Sequence, residues 1–505
     1  MGRMQTWLVR SLTIAGLLWS QIGHGATNAV LNLKDGLSVG TLRSCIANSS
    51  PGDTIIFSNG LTGTIVLTNG GQLVINKTLN IQGAGAKVLT ISGNNTNRVF
   101  NVTNATVTIS GLTIANGRVV GVDGVGSSPG QIVLGAGLLH MDSVAGYSVT
   151  VNDCVFLQNS IIGGIGGSVF MGTAGVGGDA YGAAVFNNSA LILSNCTFSG
   201  NVALGGEGGG ASNGGARGGE ALGGAACNIG IMTLNNCTFA ANSARGGMGG
   251  YGGQFFPGSG GNGEGGGIYN YGQVVFSSCT ISSNTALGGS GNPSGINNLR
   301  GGAYGGGIRT GAGTSTSRSS IIAGNTGLQA IDVSGAFTSE GFNLIGVTNG
   351  STGFGVIFDH AGTTNSPINP VLGGLQDNGG STPTFALRMS SPAIDQGSNF
   401  GGVVDQRGAP RAADFSFVPN AGDGSDIGAF ELIPATLSIE QVNNAVVLSW
   451  SAYNQGFTLQ SVTNLNSNNW VSVAGTPVRV GSWLYLTNTI STGNRFFQLR
   501  LRHNN

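Results

Sequence analysis

Charge is scarce in this chain. Only 8% of its 505 residues are Asp, Glu, Lys or Arg, and 20 acidic residues balance 20 basic ones to a net charge of zero. A neutral chain so poor in basic residues carries no electrostatic footprint for nucleic acid or for an anionic membrane. After the first 26 residues no apolar run is long enough for a transmembrane helix. Histidine is rare, with four in the chain; beyond the first 26 residues His140, His360 and His503 have no partner at a metal-ligand spacing. No nucleophile motif is present. Glycine, at 94 residues, is what the chain has in quantity. It lacks the strict G-x-y period of collagen. An apolar content of 40% is enough for a core and argues against disorder throughout.

One phrase recurs in the middle of the chain. It reads DCVFLQN (153–159), NCTFSGN (195–201), NCTFAAN (236–242), SCTISSN (278–284) and SSIIAGN (319–325). The closing residues Asn159, Asn201, Asn242, Asn284 and Asn325 are spaced by 42, 41, 42 and 41 residues. A fixed period of this length means stacked structural repeats. Before each later phrase stands a small-residue lead-in, such as GAAVFN (182–187), GAACN (224–228) or GGGIYN (265–270), then a short β-run such as ALIL (190–193). Strands this short cannot bury a face alone, but stacked about 4.8 Å apart they can. The reading is all-β: a right-handed parallel β-helix with one coil per repeat, followed by a small β-sandwich. The remainder of each period is Gly-rich, as in 205–223 and 246–263, and reads as loops thrown out from one corner of each coil.

Alternation assigns directions. Cys196 and Phe198 share parity and point inward, as do Cys237 with Phe239 and Cys279 with Ile281. Cys154, Cys196, Cys237 and Cys279 occupy one inward slot, filled by Gly111 and Ser320 in flanking coils. Small size is the common property, so a stack of buried free thiols is expected in place of disulfides. The closing asparagines read as a ladder of turn residues. His140 stands in the slot asparagine fills in later lead-ins. SGLTIAN (110–116) reads as a coil out of step by one, with Thr113 where Phe156 and Phe198 stand later. The paired GGA/GGG-I and F-x-x-N phrases, over about residues 100 to 330, resemble the repeats of bacterial polymorphic outer-membrane proteins and related β-helix surface proteins. That resemblance implies a fold and says little about activity.

Residues 1–26 read as a signal peptide: Arg3 and Arg10 lie at the start, Ser11 to Trp19 is a short apolar core, and Gly23, Gly25 and Ala26 supply small residues for cleavage. Residues 27–63 read as an N-terminal cap. Leu42, Cys45 and Ile46 share one side of a short helix that Pro51-Gly52 ends, and solenoids need such a cap. The segment resembles the "LREAI … GDTI-F" opening of exported bacterial β-helices, with Ser44 and Cys45 replacing the acidic and alanine positions. Residues 64–335 are the looped and unlooped coils. Residues 336–433 carry the last coils and then an acid-rich region. Its phrases DNGGSTPTFAL (377–387), SPAIDQG (391–397), DQRGAPR (405–411) and DIGAFE (426–431) resemble the choice-of-anchor Q region of exported bacterial proteins. The resemblance implies export and surface display. Residues 435–505 hold alternating runs such as VVLSW (446–450) and FFQLRL (496–501), a small β-sandwich.

For catalysis the sequence offers little. Asp179, Glu220 and Glu264 precede successive lead-ins and would form an acidic stripe if they align on adjacent coils. A pair of carboxylates at suitable separation would support glycoside hydrolysis. Asp405, Asp423 and Asp426 are candidate Ca²⁺ ligands, although their spacing is not that of an EF-hand; the competing reading pairs Asp405 with Arg407 as a buried salt bridge. No other cofactor is implied. Two functions stand side by side: an exported, monomeric, surface-displayed binder of glycans or cell-surface proteins, and a polysaccharide lyase or glycoside hydrolase of the β-helix type.

Overall fold

The computed structural model describes residues 25–68, 71–253, 257–292, 299–453, 457–467, 469–490 and 493–501. The leader expected over residues 1–26 lies, as far as residue 24, outside them, as does His503. The described chain is a parallel β-helix followed by a small antiparallel unit. Two ten-stranded sheets and one nine-stranded sheet, all parallel, form its walls. The first wall runs from Thr27–Val30 to Thr338–Ser339, the second from Gly63–Val66 to His360–Ala361 and the third from Leu73–Ile75 to Ser351–Thr352. One coil visits them in turn through Ala190–Ser194, Thr197–Ser199 and, after its excursion, Ala226–Asn228. The helix Leu42–Asn48 stands at the N-terminal end, N-capped by the Thr41 side chain on Ser44 N. Among the described residues no helix is long and apolar enough to cross a membrane.

The repeated phrase turns the chain from the first wall to the second. Its first residue takes a left-handed backbone, with φ of 53° at Asp153, 54° at Asn195 and 50° at Asn236. Asp and Asn tolerate that region best among residues with a side chain. The next residue drops inward: Cys154, Cys196, Cys237 and Cys279 are buried in the core, and all six cysteines of the chain are free. Burial raises the thiol pKa of Cys154 and Cys237, which keeps these sulfurs protonated and inert. Two residues on, Phe156, Phe198 and Phe239 stack with centroids 4.7 and 4.4 Å apart.

SGLTIAN is in step after all. Ile114 pairs with Phe156, so Leu112, and not Gly111, fills the cysteine slot. Gly111, with φ of 62°, takes the turn position of Asp153. Aligning on Asn116 shifts the register by one; the true counterpart of Asn159 is Gly117, whose N–H donates to Asn159 Oδ1 at 2.9 Å.

Above Gly117 the asparagine ladder is continuous. Each Oδ1 accepts both the backbone N–H and the Nδ2 of the asparagine one coil earlier: Asn201 from Asn159, Asn242 from Asn201, Asn284 from Asn242, Asn325 from Asn284. Each Nδ2 also donates to a wall carbonyl, such as Phe198 O from Asn242 at 3.0 Å. Asp332 closes the series on Asn325. A second ladder runs through the lead-ins from His140 to Asn187, Asn228 and Asn270, ending on Ser315.

Burial pushes the Asp332 carboxyl up to about 6, against hydrogen bonds from Asn325 and Val347 that act the other way. Because the folded-state pKa exceeds the unfolded one, this contribution to stability is complete below about pH 4 and is lost as pH rises through 6. Denaturation of wild type and Asp332→Asn at pH 4 and pH 7 is expected to show a difference that changes by roughly 3 kcal/mol between the two. A pH-independent difference would contradict it.

The Gly-rich excursions are not independent loops. Each goes out and back as two extended legs, and the legs of successive coils stack into a two-layer slab. Outgoing legs bond to outgoing legs (Gly163 N to Leu204 O, Gly166 N to Glu207 O) and returning legs to returning ones (Gly177 N to Arg217 O, Gly218 N to Ser259 O). The layers bond to each other through Gly206 N to Gly178 O, Gly219 N to Gly206 O and Gly261 N to Gly247 O, each 2.8 Å. Two of every three residues on a leg face other backbones and the third faces out, the three-residue period of a polyproline II helix. Glycine fills most inner positions, with alanine at a few such as Ala216; a Cβ on Gly206 or Gly247 would lie 1.9 Å from a carbonyl oxygen of the coil before it. On the first leg, with no coil beneath, Val122 and Val125 occupy positions that are Gly164 and Gly167 one coil later, and both valines are exposed. Strands Arg118–Val120 and Val133–Leu134 begin the two slab sheets, which join it to the helix.

From Asp377 to Glu431 the acid-rich region folds back as a strap along the outside of the second wall, bonded to Thr197, Thr238 and Thr280. Beyond it, a four-stranded and a three-stranded antiparallel sheet pack through Leu448, Trp450, Leu459 and Leu486 as a small sandwich.

Candidate functional site

The returning layer of the slab and the outer face of the third wall meet in a furrow. Strand register sets its rows. Asp179, Glu220 and Asn262 immediately precede the paired residues Ala180, Ala221 and Gly263, so these three share a row. Glu264 belongs to the next row with Tyr181, Leu222 and Tyr304. Across the furrow, the third wall presents Phe186, Cys227, Tyr269 and Arg309. The expected acidic stripe is therefore broken: Asp179 and Glu220 align, Asn262 takes the next rung, and Glu264 is reached through it.

The contacts are specific. Asp179 Oδ1 accepts the backbone N–H of Glu220 at 2.7 Å, and Asp179 Oδ2 accepts the Tyr181 hydroxyl at 2.7 Å. Arg217 pairs with Glu220 at 2.7 Å. Asn262 Nδ2 donates to Glu220 Oε1 at 3.4 Å and to Glu264 Oε1 at 3.2 Å. Arg309 donates through Nε to Glu264 Oε2 at 3.2 Å and through Nη1 to Ser334 Oγ at 2.7 Å, and its guanidinium lies over the Tyr304 ring. Burial, then the Asp179 carboxylate it bonds, raises the Tyr181 phenol. Burial, then the charge of Glu264, pushes Tyr269 up to about 12. Both phenols stay protonated donors. The furrow thus holds two carboxylates on one amide, each carrying its own arginine, walled by tyrosines.

Asp405, Asp423 and Asp426 do not form a common donor set. Asp405 accepts Arg407 Nε at 2.8 Å and the backbone N–H groups of Arg407, Ala409 and Glu431. Asp426 accepts the N–H groups of Asp395 and Leu432. Asp423, exposed, accepts those of Asn399 and Ser425. Among the described residues no group of three His, Cys, Asp or Glu side chains could hold a metal ion. The strap interior is charged nonetheless. Arg407 lies 3.6 Å over the Phe430 ring, and Arg411 bonds to Asn236 Oδ1 and Gly428 O at 2.9 Å each. Burial pushes Glu431 up to about 7 and raises Asp426.

What the sequence reading missed is the row that receives the strap. Thr197, Thr238 and Thr280 pair in register, face out from the second wall, and are buried. Thr197 Oγ1 donates to Pro383 O at 2.6 Å, Thr238 Oγ1 to Gln406 Oε1 at 2.6 Å, and Ala429 N donates to Thr280 Oγ1 at 3.0 Å. Gln406 Nε2 closes the set on Thr197 and Thr382, both at 2.8 Å. The only trace in the sequence is threonine at the same outward position of three phrases, a residue equally common on solvated strands.

No protein-family model matches the chain, and no curated protein matches it. Among solved structures, a crystal structure of a pectate lyase is similar over 81% of this chain and 97% of its own, at 12% identity and a TM-score of 0.33. A likeness this distant carries nothing about chemistry. The β-helix itself rests on the strand pairing described above.

Proposed function

We propose that this protein is exported and displayed at a bacterial surface, where it binds glycans or surface proteins of other cells without turning them over. The leader-like residues 1–26, the resemblance of the repeats to those of polymorphic outer-membrane proteins and the choice-of-anchor Q-like phrases support export and display. The observation that carries the non-catalytic part is the pairing in the furrow. Glu220 is held by Arg217 and Glu264 by Arg309, so neither stands as a free proton donor or base. The slab supports binding, since a rigid, backbone-bonded surface loses little conformational entropy when it engages a ligand.

One observation favours the enzyme as a second reading. Glu220 and Glu264 share the Asn262 amide at 3.4 and 3.2 Å, so the two bonded oxygens lie no farther apart than those bonds end to end, short of the roughly 10 Å outer limit for carboxylate pairs in glycoside hydrolysis. The test uses mature protein, residues 27–505, on pectins and alginates, with reducing-sugar and unsaturated-product assays. No product above buffer is expected. Turnover that survives purification controls and disappears in Asp179→Asn/Glu220→Gln/Glu264→Gln would replace the binding reading with the enzymatic one.

A further inference from the structure

Beneath the open end of the slab lies a basin of about 680 Å³ lined by Gly71, Gln72, Asn95, Thr96, Asn97, Arg98, Arg118, Val119 and Val120. Its size is that of a small-ligand site. Two arginines face it, and among the described residues no carboxylate lines it. Arg98 bonds neutral acceptors alone: Gly135 O and Gln72 Oε1 at 2.6 Å, and Leu134 O at 2.9 Å. Burial without a carboxylate lowers its pKa to about 10, the mark of an uncompensated cation. Arg118 is half-buried, and its guanidinium has no carboxylate partner among the described residues. The neighbouring Asp35 is already held by Arg43 at 2.7 Å. In a chain of zero net charge, this is a local positive site and not part of a diffuse basic surface.

The rest of the lining is amide, hydroxyl and aliphatic. Gln72, Asn95, Asn97 and Thr96 offer hydrogen-bonding groups, and Val119 with the exposed Val120 supplies an apolar strip. That combination suits a sugar ring, with polar edges and apolar faces, better than a bare inorganic ion. Resting on the glycan-binding reading above, we propose that this basin binds an anionic saccharide, with Arg118 and Arg98 taking its carboxylate or sulfate group. Arg118, half-buried and with no side-chain hydrogen bond among the described residues, is the direct contact. Arg98, anchored on Gly135 and Leu134, supplies fixed charge from below.

The probes are dextran sulfate, carboxymethyl dextran and uncharged dextran, which share a backbone and differ in charge. Calorimetric titration of the full mature chain is expected to show binding of one or both charged dextrans and none of the uncharged one; which arm binds names the group. Arg118→Gln is expected to weaken binding at least tenfold. Asn95→Asp, which places a carboxylate at the rim on a backbone with φ of 55° that Asp tolerates, should weaken it similarly without disturbing the fold. Arg388→Gln, an exposed arginine outside the basin, should bind as wild type does. Failure of both charged dextrans to bind, binding unchanged in both basin variants, or equal binding of uncharged dextran overturns the site. In each case, adhesion of the intact protein to cells or to other glycans would leave the broader binding function standing.

Discussion

Gly247→Ala is expected to break open the glycine slab. Its Cβ would lie 1.9 Å from Gly206 O and 2.6 Å from Gly206 C, both backbone atoms with no rotamer to relieve the contact. Gly247 N also donates to Gly219 O, and Gly247 O accepts from Gly261 N, both at 2.8 Å, so separating the legs loses bonds in two directions. The loss should be about 3 kcal/mol or more, confined to neighbouring excursions, because solenoid contacts are between adjacent coils. Met248→Ala is the matched control. Met248 follows immediately but occupies the outward third position and is over a third exposed; its truncation should change stability by less than about 0.5 kcal/mol. Denaturation together with limited proteolysis reads both. Equal tolerance of the two substitutions would mean the excursions do not stack.

The second large effect belongs to the asparagine ladder. Asn242→Ala removes the acceptor for Asn201 N and Nδ2, at 3.1 and 2.8 Å, and the donor to Phe198 O and Asn284 Oδ1, at 3.0 and 2.8 Å. All three asparagines are fully buried, so water cannot replace those partners without entering the core. Stranding several buried polar groups at once should cost roughly 3 to 6 kcal/mol. Asn242→Asp keeps the acceptor and loses the donor, and should recover part of the loss at low pH, where the carboxylic acid can donate again. Chemical denaturation of the three proteins decides it. If Asn242→Ala were as stable as wild type, the ladder would be incidental to the fold.

Much of this was legible in the residues themselves. The period of 41 or 42, the shared parity of Cys196 with Phe198, and the repeated closing asparagine are local signals, each fixed by one coil and copied upward. The β-helix followed from them. What escaped were features that depend on which chain lies next to which. GGEGGG (205–210) and GGMGGY (246–251) have a three-residue period that is plain once the legs are known to stack. Read alone, the same letters say flexible loop. Anchoring SGLTIAN on Asn116 set that coil out of step, because glycine at 117 can hold the ladder's end without a side chain. In the furrow, Asp179 and Glu220 aligned as the spacing suggested. Excursions of unequal length then put Asn262, and not an acid, on the next rung. The strap's seat on Thr197, Thr238 and Thr280 required contacts across 149 to 186 residues, which no local pattern encodes.

The binding role rests on the excursions being an ordered slab and not mobile loops, and amide hydrogen exchange of the wild-type chain measures that directly. Amides of Gly206, Gly219, Gly247 and Gly261, each bonded to a neighbouring leg at 2.8 Å, are expected to exchange as slowly as those of the wall strands, and far more slowly than those of the exposed turn at 143–146. Exchange of these glycines at the rate of that turn would contradict the slab and return the excursions to independent loops.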